Sequence, residues 1–253
     1  MSIFDKFLRI RELGIFSIII IVVIAASIID SRFLTIDSWR AVFLAIPLIL
    51  VMAMGQMMVI ICRHVDISIG SILAFAAITI GFVFIHYPNT SLSMALLITA
   101  SVGTIMGLVN GIIVTRFNVH SIIVTLGTLS LYRGLVFIVS GGRQIDRNDI
   151  PVHIISFSQT SFLFSIPAIL ILSVVIVLIT HLIMRHSVLG REIYATGSNP
   201  EAAHLKGINV TKVTLFCFGV CGMLAGVAGL FLSLIHISEP TRPRLISYAV
   251  FCL

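Results

Sequence analysis

Seven apolar runs, at residues 15–29, 42–62, 67–85, 92–114, 121–139, 162–184 and 213–231, dominate this chain and leave little choice of fold. A helix needs about 20 such residues to cross roughly 30 Å of hydrocarbon, and most of the runs come near that length. Within lipid a backbone satisfies its hydrogen bonds only in a helix or a closed barrel. Barrel strands would alternate apolar and polar residues in segments of about ten, which these runs do not. The expected fold is all-α, a polytopic transmembrane helical bundle with about seven spans. Composition agrees: 58% of residues are hydrophobic and 10% charged, where a soluble domain carries about a quarter charged residues.

The first run follows a short basic stretch with Lys6, Arg9 and Arg11, and its Ala25-Ala26-Ser27 is also compatible with signal-peptide cleavage. Because many spans follow, it is read as an uncleaved first helix. Pro47 is expected to kink the second run, and residues 63–66 form a tight polar turn before the third. With the N-terminus inside, nine basic residues face the cytoplasm: Lys6, Arg9, Arg11, Arg63, Arg116, Arg185, Arg191, Lys206 and Lys212. Four, Arg32, Arg40, Arg143 and Arg147, face the other side. That asymmetry is the one the positive-inside rule requires.

The net charge of +6 is spread singly between the runs, so it offers no nucleic-acid face. Cys62, Cys217, Cys221 and Cys252 form no disulfide framework, and Cys217 with Cys221 lacks the further ligands of a metal site. No phosphate-binding Gly-x4-Gly-Lys-Ser/Thr loop, Gly-x-Ser-x-Gly elbow or His-Glu-x2-His zinc signature occurs. The sequence is not read as an enzyme, and no cofactor is expected.

The longest polar interruption, residues 189–212, has helix grammar at its centre. Asn199 suits an N-cap, Pro200 the first helical position, Glu201 the positive end of the dipole, and Gly207 a stop. By itself this reads as an ordinary amphipathic surface helix. Three ordered blocks add meaning. One is Gly190-Arg191 through Asn199 to Glu201-Ala202-Ala203 and Gly207; a second runs from Gly55-Gln56 to Asp66-Ile67-Ser68-Ile69-Gly70; a third runs from Asn110-Gly111 through Thr125-Leu126-Gly127 to Arg133. Together they resemble the permease subunits of ATP-binding-cassette importers, in the version found in ribose, xylose, rhamnose and autoinducer-2 systems. The resemblance covers residues 11–231.

The resemblance implies a truncated permease domain at 1–231 with a cytoplasmic coupling loop at 186–212. It assigns Gly190, Arg191, Asn199, Glu201, Ala202, Ala203 and Gly207 to ATPase coupling. Gly55, Asp66, Ser68, Gly70, Asn110, Gly111, Thr125, Gly127 and Arg133 become motif or pathway positions. Implied partners are a cytoplasmic ATPase, a second permease subunit, an extracytoplasmic solute-binding protein and membrane lipid, in a bacterial inner membrane. A self-contained secondary transporter is the competing reading. It would usually need acidic groups or His within its spans for ion coupling; no Asp or Glu stands in one, and the ionisable residues that do are Arg133 and the single His181.

Some features have two readings. Asp66, beside Arg63 and His64, is expected to be a local charge pair or cap rather than an acid-base group. Arg133 either snorkels near the outer end of the fifth run, or that run dips in and returns. Gly103, Gly107 and Gly111 recur every four residues, as do Gly222 and Gly226, which points to close helix packing within the subunit. Residues 140–161 are either a docking surface for a binding protein or a solvated loop. From Leu232 the text resembles a translated sequencing adapter, so residues 232–253 are expected to be non-native, with the C-terminal part of the permease missing.

Overall fold

The computed structural model describes residues 11–143, 145, 150–152, 154, 161–162 and 166–236. Cα proximity divides the chain into two compact units, Met1–Leu44 and Ala45–Leu253. In the first, α1 spans Arg11–Ile29. From Leu13 onward its only polar side chains are Ser17 and Ser27. Their hydroxyls donate to the carbonyls of Leu13 and Val23, at 2.8 and 2.6 Å, so neither is left for hydrocarbon to meet. The helix ends at Asp30, whose carboxylate accepts from the Arg32 amide at 2.9 Å and from its guanidinium at 3.2 Å, opening a 3-10 turn over Ser31–Leu34. This contact is a solvent-exposed ion pair. Trp39 lies between Phe33 and Phe43, with ring centroids 6.2 and 6.3 Å away, an aromatic group of the kind that suits a membrane interface.

Helix α2, Ile36–Ile61, continues from the first unit into the second with Pro47 inside it. There follow α3 (Ile69–His86), α4 (Leu92–Phe117), α5 (Ser121–Ser140), α6 (Ala168–His186), α7 (Val188–Ser198), α8 (Pro200–Leu205) and α9 (Val210–His236). Of the seven expected spans, α3, α4, α5, α6 and α9 are long and apolar enough to cross a membrane, and Leu13–Ile29 and Ala45–Ile61 are shorter apolar helices. The chain is an all-α, multi-pass membrane bundle.

Two boundaries differ from expectation. The sixth span starts at Ala168, not at 162, because residues 161–162 and 166–167 pair as a minimal antiparallel hairpin with Phe162 opposite Ile166. Pro167 holds Ile166 in extended backbone, so the helix can begin no earlier than the proline itself. The last helix runs past Phe231 to His236; residues 237–253, where most of the suspected adapter falls, lie outside the described residues.

Helix α9 is the post around which the second unit is built. Of its most apolar window 72% is buried, against 28–39% in the other four long helices. It packs most extensively on α4 and next on α3. The glycine repeats explain how. A Cβ on Gly103 would overlap the Gly222 carbonyl, one on Gly107 the Phe218 carbonyl, and one on Gly226 the Thr99 carbonyl. Gly55 of α2 faces the Cys221 backbone (a Cβ would lie 2.9 Å from its Cα), and Gly229 faces the Leu73 carbonyl, 2.6 Å from where a Cβ would stand. Small residues let backbones meet where no water drives association. Both glycine series therefore serve packing within the subunit.

Part of the loop after α5 also turns inward. Ile150 and Ile154 are buried in a cluster with Phe84, Ile169 and Phe231, and Ile145 lies against Gly81. Gly141, Gly142, Arg143 and Val152 stay exposed. Of the charged residues of this loop, Arg143 is described, and Asp146, Arg147 and Asp149 lie outside the described residues.

Candidate functional site

The 186–212 segment folds as two helices set one on the other. Ser187 caps α7 by accepting from the Gly190 amide at 3.0 Å, and Gly190 sits against the Met184 carbonyl. α7 buries Gly190, Ile193 and Thr196 and exposes Tyr194. Arg191 is exposed and donates to the His186 carbonyl at 3.4 Å. Asn199 closes α7 and opens α8, its side-chain oxygen accepting from the amides of Glu201 (3.0 Å) and Ala202 (3.1 Å). Ala203 is the buried residue of α8, whereas Glu201, Ala202 and His204 are exposed and Leu205 is 88% exposed. Gly207 ends the motif at φ 83°, and Ile208 donates back to the Ala203 carbonyl at 3.1 Å. The local grammar of residues 199–207 thus holds, and it leaves a short helix presenting a leucine to the outside.

Beneath this segment, the turn between α2 and α3 folds into the bundle. Asp66 is 1% exposed. One oxygen accepts from the Ser68 amide and hydroxyl, at 2.9 and 2.7 Å; the other accepts from the Asn110 side chain at 3.4 Å. Asn110 also donates to the Ser68 hydroxyl at 2.8 Å and accepts from Tyr132, whose hydroxyl donates as well to the Met106 carbonyl at 2.9 Å. From α2, the Gln56 amide, turned so that both its ends meet complementary groups, spans the Asp66 N–H and C=O at 3.3 Å each. Ser121 accepts from the Val65 amide at 3.1 Å, while Thr125 donates to the Ser121 carbonyl at 2.8 Å and the Val65 carbonyl at 3.4 Å. Four helices are tied to one turn.

Asp66 closes a local turn by accepting from Ser68, which is itself the N-cap of α3, and makes no ion pair with Arg63. Burial pushes its carboxyl above the usual carboxylate range, while the Ser68 and Asn110 hydrogen bonds pull the other way. His64, half-buried against Phe218, is held below the ordinary imidazole value by burial and by His120. Every polar atom of the cluster is satisfied from within the chain, so it holds helices together rather than offering groups to a reaction. Among the described residues no group of three or more His, Cys, Asp or Glu stands together.

The other motif positions scatter. Gly55 and Gly111 belong to the α9 seam, Gly111 facing Phe218 and Leu215. Gly70 is half-buried in the first turn of α3. Gly127 is exposed on α5 with nothing within 4 Å of a would-be Cβ. Arg133 is half-buried in an unbroken α5, so the fifth run does not dip and return.

Sequence reasoning missed α7, although Gly190, Ile193 and Thr196 recur at helical spacing after a capping serine. It also missed Gln56 as a partner of the Asp66 backbone and Tyr132 as a partner of Asn110, pairs that lie on different helices and leave no local signal. The third omission is a link between the two parts of the site. Arg63 donates through Nη2 to the Ser198 carbonyl at 2.7 Å, and Gly197 rests against the Ile61 carbonyl. Close by, the Cys62 and Cys217 sulfurs are 3.4 Å apart.

Three curated relatives are each 32% identical over 203 residues, covering 80% of this chain and 56% of their own length. They are the Autoinducer 2 import system permease protein LsrC of Yersinia pseudotuberculosis serotype O:1b (strain IP 31758), its counterpart in serotype O:3 (strain YPIII), and that of Yersinia pestis (strain Pestoides F). The chain thus spans little more than half the length of the curated relatives it matches. No solved structure matches it. Residues 39–250 match the family described as "Branched-chain amino acid transport system / permease component". A bundle of apolar helices gathered on one glycine-faced post, carrying a capped polar helix pair at one end, agrees with that match, and the chain belongs to this family of transport permeases.

Proposed function

We propose that the chain is the membrane-spanning subunit of an ATP-binding-cassette importer. It moves a monosaccharide or an autoinducer-2-like solute across a bacterial inner membrane by alternating access. The observation that carries this is the α7–α8 pair: α7 is anchored in the bundle, while α8 offers Glu201, Ala202, His204 and Leu205 outward. An exposed leucine in a charged surround fits a protein partner better than water or lipid.

In this reading a separate cytoplasmic ATPase grips α8, and its ATP-driven closure displaces the helix pair. A second permease subunit completes the translocation path and an extracytoplasmic binding protein delivers the solute. The N-terminus is cytoplasmic, as the nine-to-four distribution of basic residues favours. Gly190, Asn199, Ala203 and Gly207 shape the coupling helices, and Arg191, Glu201 and Ala202 face the partner. Asp66, Ser68, Asn110 and Thr125 hold the pathway helices in register, whereas Gly127 and Arg133 on α5 are candidates to face the path itself.

Glu201→Lys tests the reading. Co-expressed with the ATPase subunit, the variant should insert in the membrane at the wild-type level yet lose co-purification of the ATPase. Undiminished co-purification would refute the assignment of α8 as the grip.

A further inference from the structure

We propose that the turn at Arg63 is the joint through which displacement of α7 reaches the buried Asp66 cluster. Three observations converge on it. Arg63 has φ 65°, a left-handed conformation that a side chain other than glycine adopts at a cost and holds only when its surroundings impose it. Those surroundings are α7: the guanidinium donates to the Ser198 carbonyl at 2.7 Å, where the negative end of that helix dipole draws a cation. Gly197 rests on the Ile61 carbonyl with no room for a Cβ, and the Cys62 thiol points to the Ile193 carbonyl at 3.9 Å. The end of α2 is thus seated on α7 at three successive residues.

On its other side the same turn is the cluster. Three residues beyond Arg63, Asp66 is held by Gln56 of α2, Ser68 at the head of α3 and Asn110 of α4, and Val65 is held by Ser121 and Thr125 of α5. Only His64 and Val65 separate Arg63 from Asp66, and Val65 is held through its backbone. A displacement of Ser198 either breaks the Arg63 bond or turns the 62–66 backbone, and turning it moves the heads of α3 and α5 with it. Coupling of this sort runs through contiguous hydrogen-bonded and packed groups. Arg63 is here a positioning residue, acting through Asp66. The purpose of the joint rests on the import reading; the mechanical link does not.

Hydrogen exchange on the full chain in lipid nanodiscs tests the link. Arg63→Ala and Gly197→Ala should each speed exchange about tenfold at the amides of residues 68–73, where Ser68 binds Asp66 and Ser71 and Ile72 bind the Ser68 carbonyl, with α4 and α9 unchanged. Arg63→Lys, which keeps a charged donor, should stay close to wild type. Unchanged exchange at 68–73 in both variants would overturn the joint, and so would loosening of the whole bundle, which would make these residues general supports of the fold. Uptake of labelled autoinducer-2 by cells making the chain with its ATPase and binding protein tests the purpose. Arg63→Ala should reduce uptake at least about tenfold with the ATPase still bound and the amount of inserted chain unchanged, and Arg63→Lys should restore it. Wild-type uptake by Arg63→Ala would remove the joint from the mechanism. Should the wild-type chain, which spans little more than half of its relatives' length, take up none, the exchange result decides the link alone.

Discussion

Asp66 and Thr196 show how differently two buried polar side chains can stand in one bundle. Asp66 serves as acceptor for three donors, whereas the Thr196 hydroxyl, equally buried on α7, has no partner among the described residues. A buried donor stripped of its acceptor costs far more than a hydrogen bond contributes, and removing an already unpaired hydroxyl costs nothing of that kind. Asp66→Ala should therefore lower the stability of the detergent-solubilised chain by about 2–4 kcal/mol. Thr196→Val, of nearly the same shape, should leave it unchanged or raise it by about 1 kcal/mol. Thermal melting of the two variants against wild type checks both signs at once. If Asp66→Ala melted with wild type, the cluster would not be what ties the helices.

At the scale of elements, what could be read in advance was whatever the chain encodes locally. The apolar runs located the long helices, and Asn199, Pro200 and Gly207 defined α8 because caps and stops depend on neighbours within one turn. The glycine repeats announced a close seam but not its partner. That Gly107 meets Phe218 and Gly222 is a fact of tertiary register, more than 100 positions apart in sequence. The start of α6 went astray because an apolar run of this length reads the same whether it opens as hairpin or helix. Arg63 was counted only as a charge, since nothing nearby in sequence indicates that its partner is Ser198. The seam itself makes a sharp contrast testable. Gly107→Ala must drive a methyl into the Phe218 carbonyl, whereas Gly127→Ala meets nothing within 4 Å. The first should abolish the monodisperse peak in size-exclusion chromatography; the second should preserve it and stiffen α5 slightly, by about 0.5–1 kcal/mol. Equal behaviour of the two would refute the assignment of Gly107 to a backbone-on-backbone contact.

For the molecule as a whole the decisive property is sidedness, because a grip for an ATP-using partner is of use only where ATP is. Tyr194 is half-exposed on α7, and Cys62, Cys217 and Cys221 are buried. A Tyr194→Cys variant in a Cys252→Ser background should resist a membrane-impermeant maleimide added to intact cells and react once the membranes are opened. Labelling from outside would invert the orientation and separate α8 from any cytoplasmic motor. Seen at this scale, the carbonyl-to-glycine contacts along α9 have a further consequence. Where two helices interlock through side chains, sliding one past the other requires rotamers to disengage and re-form. Along Gly103, Gly107, Gly222 and Gly226 there are no such teeth, and the surfaces that touch are nearly smooth. Displacement of α4 along α9 meets only main chain at these four positions, and side chains engage beyond them, where Leu108 lies against Gly219 and Leu215 against Gly111.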